Sequence, residues 1–212
     1  MDNPNATEED DAATPKHPAE DHSSATGKPT SSDIADPSTS TKISLTESTG
    51  DIFSAAPNTL LIHACNCQGT WNAGIASAFK SHYPAAYSVY QAHCKKWGHS
   101  LLFSALLIPP QTTSTTRSSE KDRNHFIGCL FTSAKKGKGK GSVESILEAT
   151  GPAMEDLARK VAEDGKVEEV RMCKINSGLF RVPWERTKTV IEGLDLEQGQ
   201  GKEIKVITLE GK

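Results

Sequence analysis

The stretch "LIHACNCQGTWNAGIASAF", residues 61–79, changes character twice within a short distance. It begins inside the apolar run "NTLLIHAC" at 58–65, which suits a central strand covered on both faces. It ends as a helix that we place at 74–79. Cysteines, asparagines and small turn residues lie between the two, and a simple reversal of the chain would not need them. The stretch therefore predicts a strand, a loop that binds a ligand, and a helix.

Further strands and helices alternate on both sides of this stretch. The apolar runs predict strands at 101–110, 125–131, 167–175 and 203–209, and the spacing of apolar residues predicts helices at 84–97, from Val143 to Val161 and from Pro183. Within the second of these helices, Gly151-Pro152 predicts a kink or a break. The alternation indicates the α/β class, with a mixed, mostly parallel central sheet and helices on both faces. Parallel strands of such a sheet bind ligands at their carboxyl ends.

Composition separates an N-terminal tail from the rest of the 212 residues. Residues 2–42 contain no aromatic side chain and a single large aliphatic one, Ile34. Such a segment buries too little apolar surface to offset its chain entropy, so we predict a disordered acidic tail at 1–42 and one domain at 43–212. The tail carries nine acidic and three basic residues, which leaves a net charge of +3 on the domain. That charge fits a small anionic ligand and is too low for a duplex-binding domain.

Cysteine content and hydropathy bear on the compartment. Five cysteines, an odd number, without an apolar leader indicate free thiols in a reducing compartment, so we expect the cytoplasm or the nucleus. No apolar run approaches the roughly 18 residues of a membrane span, and no membrane partner is expected.

Three loops rich in small residues follow predicted strands and precede helices, at 66–74, 133–142 and 176–182. Small residues let backbone amides approach a phosphate, and a following helix N-terminus adds partial positive charge. The "GKGKGS" run at 137–142 does not match a Walker A motif, and no complete dinucleotide fingerprint is present. This run also fits a solvated basic loop, and RNA binding through it is the least favoured function.

Three motifs in order, "TGDIF", "HACNCQGTWNAGIA" and "INSGLFRVPW", resemble a macro domain, the ADP-ribose-binding α/β module, and in particular its fungal ADP-ribose 1″-phosphate phosphatase branch. The resemblance covers about 43–209. It implies a three-layer α/β/α fold and hydrolysis of ADP-ribose 1″-phosphate, a by-product of tRNA splicing. We also expect a monomer without a cofactor. No metal is expected, because His63, Cys65 and Cys67 alternate along one strand and cannot form a tetrahedral site without further partners. No nucleic-acid partner is expected, because no aromatic-rich stacking platform lies beside the basic run. A non-catalytic ADP-ribose reader and a hydrolase acting on ADP-ribosylated proteins are the alternatives.

The resemblance also implies a set of binding residues. Asp51 would hold the adenine amino group, although a turn-capping role is the alternative for a residue after glycine. The substrate-binding residues carried over from the three motifs are Gly50, Asp51, Ile52, Ala64, Cys65, Asn66, Trp71, Asn72, Ala73, Gly74, Ile75, Ala76, Ile175, Asn176, Ser177, Gly178, Leu179, Phe180 and Arg181. The family usually has glycine in place of Arg181, which could bind a phosphate or point to solvent.

His63 is the predicted catalytic acid/base, because it is titratable near neutral pH and ends a central strand. Strand alternation leaves a second interpretation open. His63 and Cys65 share one face of the strand and Ala64 shares the other with Asn66, so His63 could instead lie in the core. Neither Cys65 nor Cys67 is followed by the arginine that a cysteine-dependent phosphatase needs, and the two read as small packed residues.

Overall fold

Six strands form the central sheet of the computed structural model, which describes residues 41–111, 124–196 and 203–210. The described residues all belong to one compact unit, Asp36–Lys212. The strands of the sheet are β2 (Ser44–Thr49), β3 (Thr59–Asn66), β4 (Ala105–Ile108), β5 (Phe126–Ser133), β6 (Glu169–Met172) and β8 (Glu203–Thr208). Their order is β2-β8-β6-β3-β5-β4, and every neighbouring pair is parallel except β4 with β5.

Four α-helices and a small two-stranded sheet complete the described structure. The helices are α1 (Gly74–His82), α2 (Pro84–Trp97), α3 (Val143–Asp164) and α4 (Trp184–Glu192). Short 3-10 helices lie at Gly98–Leu101 and Gly137–Gly139. The strands β1 (Thr41–Lys42) and β7 (Asp195–Leu196) pair antiparallel. Among the described helices, none combines the length and the apolar character that a membrane span needs.

The alternation of side chains along β3 divides the core into two clusters. Leu60 and Ile62 pack with Leu157 of α3 on one face of the sheet. Leu61 packs with Phe79 of α1 on the other face, together with residues of α2. Because both faces of β3 are covered, almost every one of its residues is buried. The predicted α/β fold, with helices on both sides of a mostly parallel sheet, is confirmed.

Two local predictions differ from the structure. The sequence predicts a kink or a break at Gly151-Pro152, but the helix continues without a break from Val143 to Asp164, because the burial of Gly151 and Ala153 stabilises that segment. The strand predicted at 101–110 is limited to Ala105–Ile108. Leu101 instead ends a 3-10 helix, and its apolar side chain reflects burial in the core and not a strand.

Strand β1 lies next to the predicted domain boundary. Thr41 and Lys42, the two residues before position 43, pair with Asp195–Leu196, and the boundary itself stays a prediction. The rest of the predicted tail lies outside the described residues.

Candidate functional site

Three loops meet at the carboxyl edge of the sheet because β3 lies between β5 and β6, and the three strands are parallel. We name them loop A (67–73, after β3), loop B (134–142, after β5) and loop C (173–183, after β6). Loop A contacts loop B directly, and loop C lies beside the end of loop A. Its Gln68 Oε1 accepts the backbone N–H of Lys136 in loop B at 3.1 Å. At its end, a Cβ on Gly74 would lie 3.5 Å from Leu179 Cδ1 in loop C.

Asn66, the last residue of β3, determines the shape of loop A. Its side-chain oxygen accepts the Gln68 N–H at 3.0 Å and the Thr70 hydroxyl at 3.2 Å, and its Nδ2 donates to the Thr70 carbonyl at 2.9 Å. Its own carbonyl accepts the Tyr90 hydroxyl at 2.5 Å. Since its side chain is buried and occupied within the loop, Asn66 acts as a positioning residue for loop A.

Trp71 anchors loop A from below. The side chain is fully buried, stacked on Tyr90 at 4.8 Å between ring centroids and packed edge-on against His63 at 4.8 Å. Its indole nitrogen has no hydrogen-bond partner among the described residues. With Trp71 directed into the core, the residues that follow it, Asn72 and Ala73, are exposed.

Helix α1 begins directly after these exposed residues and lacks a side-chain cap. Its N-cap is Ala73, which offers no oxygen to the first backbone N–H groups, and its first turn contains no acidic residue. Uncapped N–H groups at a helix N-terminus attract anions, because they are unpaired donors at the positive end of the helix dipole. The junction of loop A and α1 is therefore suited to a phosphate group.

Loop C is held from beneath by Asn176. The side chain is buried, and its Oδ1 accepts the Thr132 hydroxyl of β5 at 2.8 Å while its Nδ2 donates to Thr150 Oγ1 of α3 at 3.0 Å. Its carbonyl accepts the Val182 N–H at 3.0 Å, which closes the loop. Asn176 has a φ of 62°, a left-handed conformation that asparagine adopts more readily than most residues.

Both ends of loop C are also tied to β2 through Glu47. The carboxylate accepts the Trp184 indole N–H at 3.0 Å and pairs with Lys174 at 2.9 Å and Lys188 at 3.1 Å. The hydrogen bond from Trp184, followed by that from Lys174, lowers the pKa of Glu47 to about 2. The charged carboxylate thus holds loop C in place at neutral pH.

Asp51 lies at the other end of the same edge, just after β2. Its Oδ1 accepts the Phe53 N–H at 2.9 Å and its Oδ2 accepts the Ser54 hydroxyl at 3.4 Å. The turn-capping role is therefore present. The residue is also exposed, and a carboxylate accepts about four hydrogen bonds, so capacity remains for a ligand donor.

A family model for the Macro domain matches residues 62–191 of the chain. The chain belongs to the macro domain family. An ADP-ribose 1″-phosphate phosphatase of Chaetomium globosum is 48% identical over 165 residues, which span 75% of this chain and 88% of that protein. An ADP-ribose 1″-phosphate phosphatase of Meyerozyma guilliermondii is 39% identical over 157 residues, which span 68% of this chain and 89% of that protein.

Solved macrodomain structures share the fold at low sequence identity. The macrodomain of Thermus aquaticus DarG has a TM-score of 0.55 at 20% identity and covers 78% of this chain and 98% of its own. The structure of Thermosipho africanus DarTG in complex with ADP-ribose has a TM-score of 0.57 at 18% identity. The match covers 83% of this chain and 45% of that one. These two likenesses show the fold of the macro domain.

The predicted binding residues divide by burial. Exposed are Asp51, Asn72, Ala73, Gly74, Gly178, Leu179 and Arg181; half-buried are Gly50, Ala64, Ile75, Ala76, Ser177 and Phe180; buried are Ile52, Cys65, Asn66, Trp71, Ile175 and Asn176. The exposed residues follow β2, β3 and β6. The buried ones support the loops from below, and contact with ADP-ribose stays a prediction for the whole set.

His63 lies in the core of this macro domain. Its ring is fully buried and stacked on Phe79, with centroids 4.1 Å apart and planes 14° from parallel, on the face of β3 that carries Cys65. This packing favours the second of the two sequence interpretations, a core histidine. The catalytic role of His63 stays a prediction.

The cysteines near this strand are poor nucleophiles. Burial raises the pKa of Cys65, and burial is also the main reason why the pKa of Cys67 rises to about 12. The thiols are therefore protonated at neutral pH. The ligand atoms of His63, Cys65 and Cys129 lie within 4.8 Å of one another. The sequence did not predict this group, because Cys129 lies on the neighbouring strand, opposite His63 in the parallel register.

Arg181 adopts a left-handed backbone conformation, with a φ of 60°. Its position is the one where the family usually has glycine, and the structure explains why glycine suits it. A non-glycine residue in this region is strained by about 1–2 kcal/mol. Glycine avoids this strain, but its greater flexibility in the unfolded chain lowers stability by about 0.5–1 kcal/mol. We expect Arg181→Gly to raise the free energy of unfolding by about 0.5–1 kcal/mol, as measured by urea denaturation.

Arg181→Ala is the matched control for this change. It removes the same side chain and keeps the strain, so it should leave stability close to that of the wild type. Equal stabilisation by alanine would show that the arginine side chain, rather than its backbone, is unfavourable.

Sequence reasoning missed the residues that hold the loops. Thr132, Thr150 and Gln68 bind loop residues through side-chain hydrogen bonds. Thr132 and Thr150 bind Asn176 from positions 44 and 26 residues away along the chain. The polar ending of the "LFTS" segment was the one available signal, since a buried polar side chain at a strand end requires a partner.

Proposed function

We propose that this macro domain hydrolyses ADP-ribose 1″-phosphate to ADP-ribose and phosphate. The observation that carries the proposal is the proximity of Leu179 to Gly74, where a Cβ would lie 3.5 Å from Leu179 Cδ1, so that loop C lies beside the uncapped start of α1. Two loops of small residues then face one anion-binding helix end, as a diphosphate requires. The fungal relatives support the reaction, since proteins up to 48% identical carry the name of this phosphatase.

Asp51 supplies the recognition of the base. It lies beyond loop C on the same edge of the sheet, and its carboxylate would accept the exocyclic N–H of adenine. The diphosphate would bind the backbone N–H groups of loop A and α1, and Leu179 and Phe180 would cover the distal ribose. The ligand would thus lie across the carboxyl ends of several strands.

Direct attack of water fits the site better than a covalent intermediate. The thiols nearest the site are protonated, so neither Cys65 nor Cys67 offers a thiolate. Catalysis would then depend on orienting the phosphoryl group and on stabilising its developing charge by backbone N–H groups and nearby cations.

Phosphate release from ADP-ribose 1″-phosphate tests the proposal. The wild-type protein should turn the substrate over, and Asp51→Ala should lower kcat/KM by about 10- to 100-fold, because an unpaired adenine donor costs about 1–3 kcal/mol. Asp51→Asn is the control for folding. It keeps an oxygen for the Phe53 N–H, so its stability should match the wild type while its affinity falls.

A non-catalytic ADP-ribose reader is the second candidate, and the burial of His63 favours it. Calorimetric titration with ADP-ribose separates the two functions. Tight binding without phosphate release identifies a reader. The variant His63→Phe keeps an aromatic ring that can stack on Phe79 and removes the titratable imidazole. Wild-type turnover in this variant would show that His63 takes no part in the chemistry.

A further inference from the structure

Loop B carries an unbalanced positive charge. Four lysines lie within it, Lys135, Lys136, Lys138 and Lys140. The first three are exposed and the last is half-buried. Across the described residues, none of the four forms an ion pair, whereas Lys160, Lys174 and Lys188 each pair with a carboxylate. The charge of loop B is therefore available to a ligand.

The backbone of loop B is fixed. Ser133, at the end of β5, closes the loop on itself, because its hydroxyl donates to the Lys135 carbonyl at 2.8 Å and accepts the Gly141 N–H at 3.0 Å. Gln68 of loop A holds the Lys136 N–H. The Lys135 side chain packs on Gly139, where a Cβ would lie 3.4 Å from its Cδ. The lysines thus project from a defined position beside loop A.

The strand order assigns a place to each part of the ligand. Along the edge, β2 is followed by β8, β6, β3 and β5. Asp51 follows β2, loop C follows β6 and loop A follows β3. With about 4.8 Å between strands, β3 lies about 14 Å from β2 and β5 about 19 Å. A ligand with adenine at Asp51 and diphosphate between loops C and A therefore directs its far end toward β5 and loop B.

We infer that loop B is the subsite for a terminal phosphomonoester, with Lys136 and Lys138 as its principal cations. The inference rests on the proposed function and specifies which substrate the site prefers. The terminal phosphate adds a charge of about −1.5 to −2 at pH 7, as other phosphomonoesters do. Lysine suits this group because it is a mobile point charge that follows the phosphate during hydrolysis. Loop B thus distinguishes ADP-ribose 1″-phosphate from ADP-ribose, which lacks that charge.

The test compares two ligands in two variants. The double variant Lys136→Gln/Lys138→Gln removes two charges from loop B. The control is Lys166→Glu, which changes the net charge by the same amount just beyond the C-terminus of α3, a helix of 22 residues and hence about 33 Å long. We measure KM for ADP-ribose 1″-phosphate from phosphate release and Kd for ADP-ribose by calorimetry, and calorimetry is extended to ADP-ribose 1″-phosphate where the protein releases no phosphate.

The double variant should raise KM for ADP-ribose 1″-phosphate about three- to thirty-fold, the effect of losing two exposed charge pairs with a dianion. Its Kd for ADP-ribose should rise less than this KM, because the diphosphate lies on loops A and C, farther from these lysines than the terminal phosphate, and screening by salt weakens charge interactions with distance. Lys166→Glu should change neither value. An equal loss for both ligands would overturn the inference, since it would show general attraction of anions, and so would no loss for either.

Failure of the proposed function gives a different result. If the wild type releases no phosphate, the ratio of its Kd values for the two ligands still tests loop B. A preference for ADP-ribose 1″-phosphate that disappears in the double variant supports the subsite without catalysis, and an unchanged ratio overturns it. Salt-sensitive RNA binding that is lost in the double variant, with an unchanged ligand ratio, would assign loop B to RNA instead.

Discussion

Trp71→Ala should lower the free energy of unfolding of this macro domain by about 3–5 kcal/mol. The side chain is fully buried, stacked on Tyr90 and packed edge-on against His63. Its removal leaves a cavity that the surrounding rings of α1 and α2 are too rigid to fill. Urea denaturation followed by far-UV circular dichroism measures the change, because the signal does not depend on the tryptophan removed.

Trp71→Phe separates packing from hydrogen bonding. The indole nitrogen has no partner among the described residues, so phenylalanine should lose part of the contact area and no hydrogen bond. We expect it to cost about 1–2 kcal/mol, well below the cost of alanine. If the two variants were equally unstable, the indole N–H would have to bind a group that supports the fold.

The same change should weaken ADP-ribose binding. Trp71 is the buried residue before the exposed Asn72 and Ala73, so its loss frees the backbone that faces the ligand. The titration with ADP-ribose is done without urea, at a temperature where circular dichroism shows that the variant is folded. Unchanged affinity in a folded Trp71→Ala protein would show that loop A does not depend on this anchor.

Asn176→Ala should lower the free energy of unfolding by about 2–4 kcal/mol. The change leaves the hydroxyl of Thr132 without its acceptor and the oxygen of Thr150 without a donor, both in the core. It also places alanine at a φ of 62°, which adds strain of about 1 kcal/mol. Loop C should loosen, and the affinity for ADP-ribose should fall with it.

Asn176→Gly is the matched control. Glycine loses the same two hydrogen bonds and is unstrained at this φ, so it should be more stable than alanine by about 0.5–1 kcal/mol. Denaturation and calorimetry of both variants give the two contributions separately. If glycine and alanine were equally destabilised, the backbone conformation would contribute nothing, and a wild-type stability of either would exclude the hydrogen-bonded role of Asn176.

Much of the site was predictable because it depends on neighbours in the sequence. Loop A before α1 and the "NSGLF" segment before α4 each combine small or polar residues with a helix start, and the Gly50-Asp51 turn places such residues directly after β2. Strand and helix periodicities place such segments at one edge of a parallel sheet. The ends of the elements were less accurate. Leu101 and Pro152 show why: burial and tertiary packing outweighed the local preferences of those residues.

Side chains alternate along any strand, so the sequence alone is enough to place His63 and Cys65 on one face of β3 and Ala64 on the other with Asn66. The contacts of each face depend on the folded chain. Phe79 and Trp71 cover His63, while the side-chain amide of Asn66 donates a hydrogen bond to loop A. Alternation is a property of the local backbone, whereas burial and hydrogen bonding depend on helices and loops that return from elsewhere in the chain.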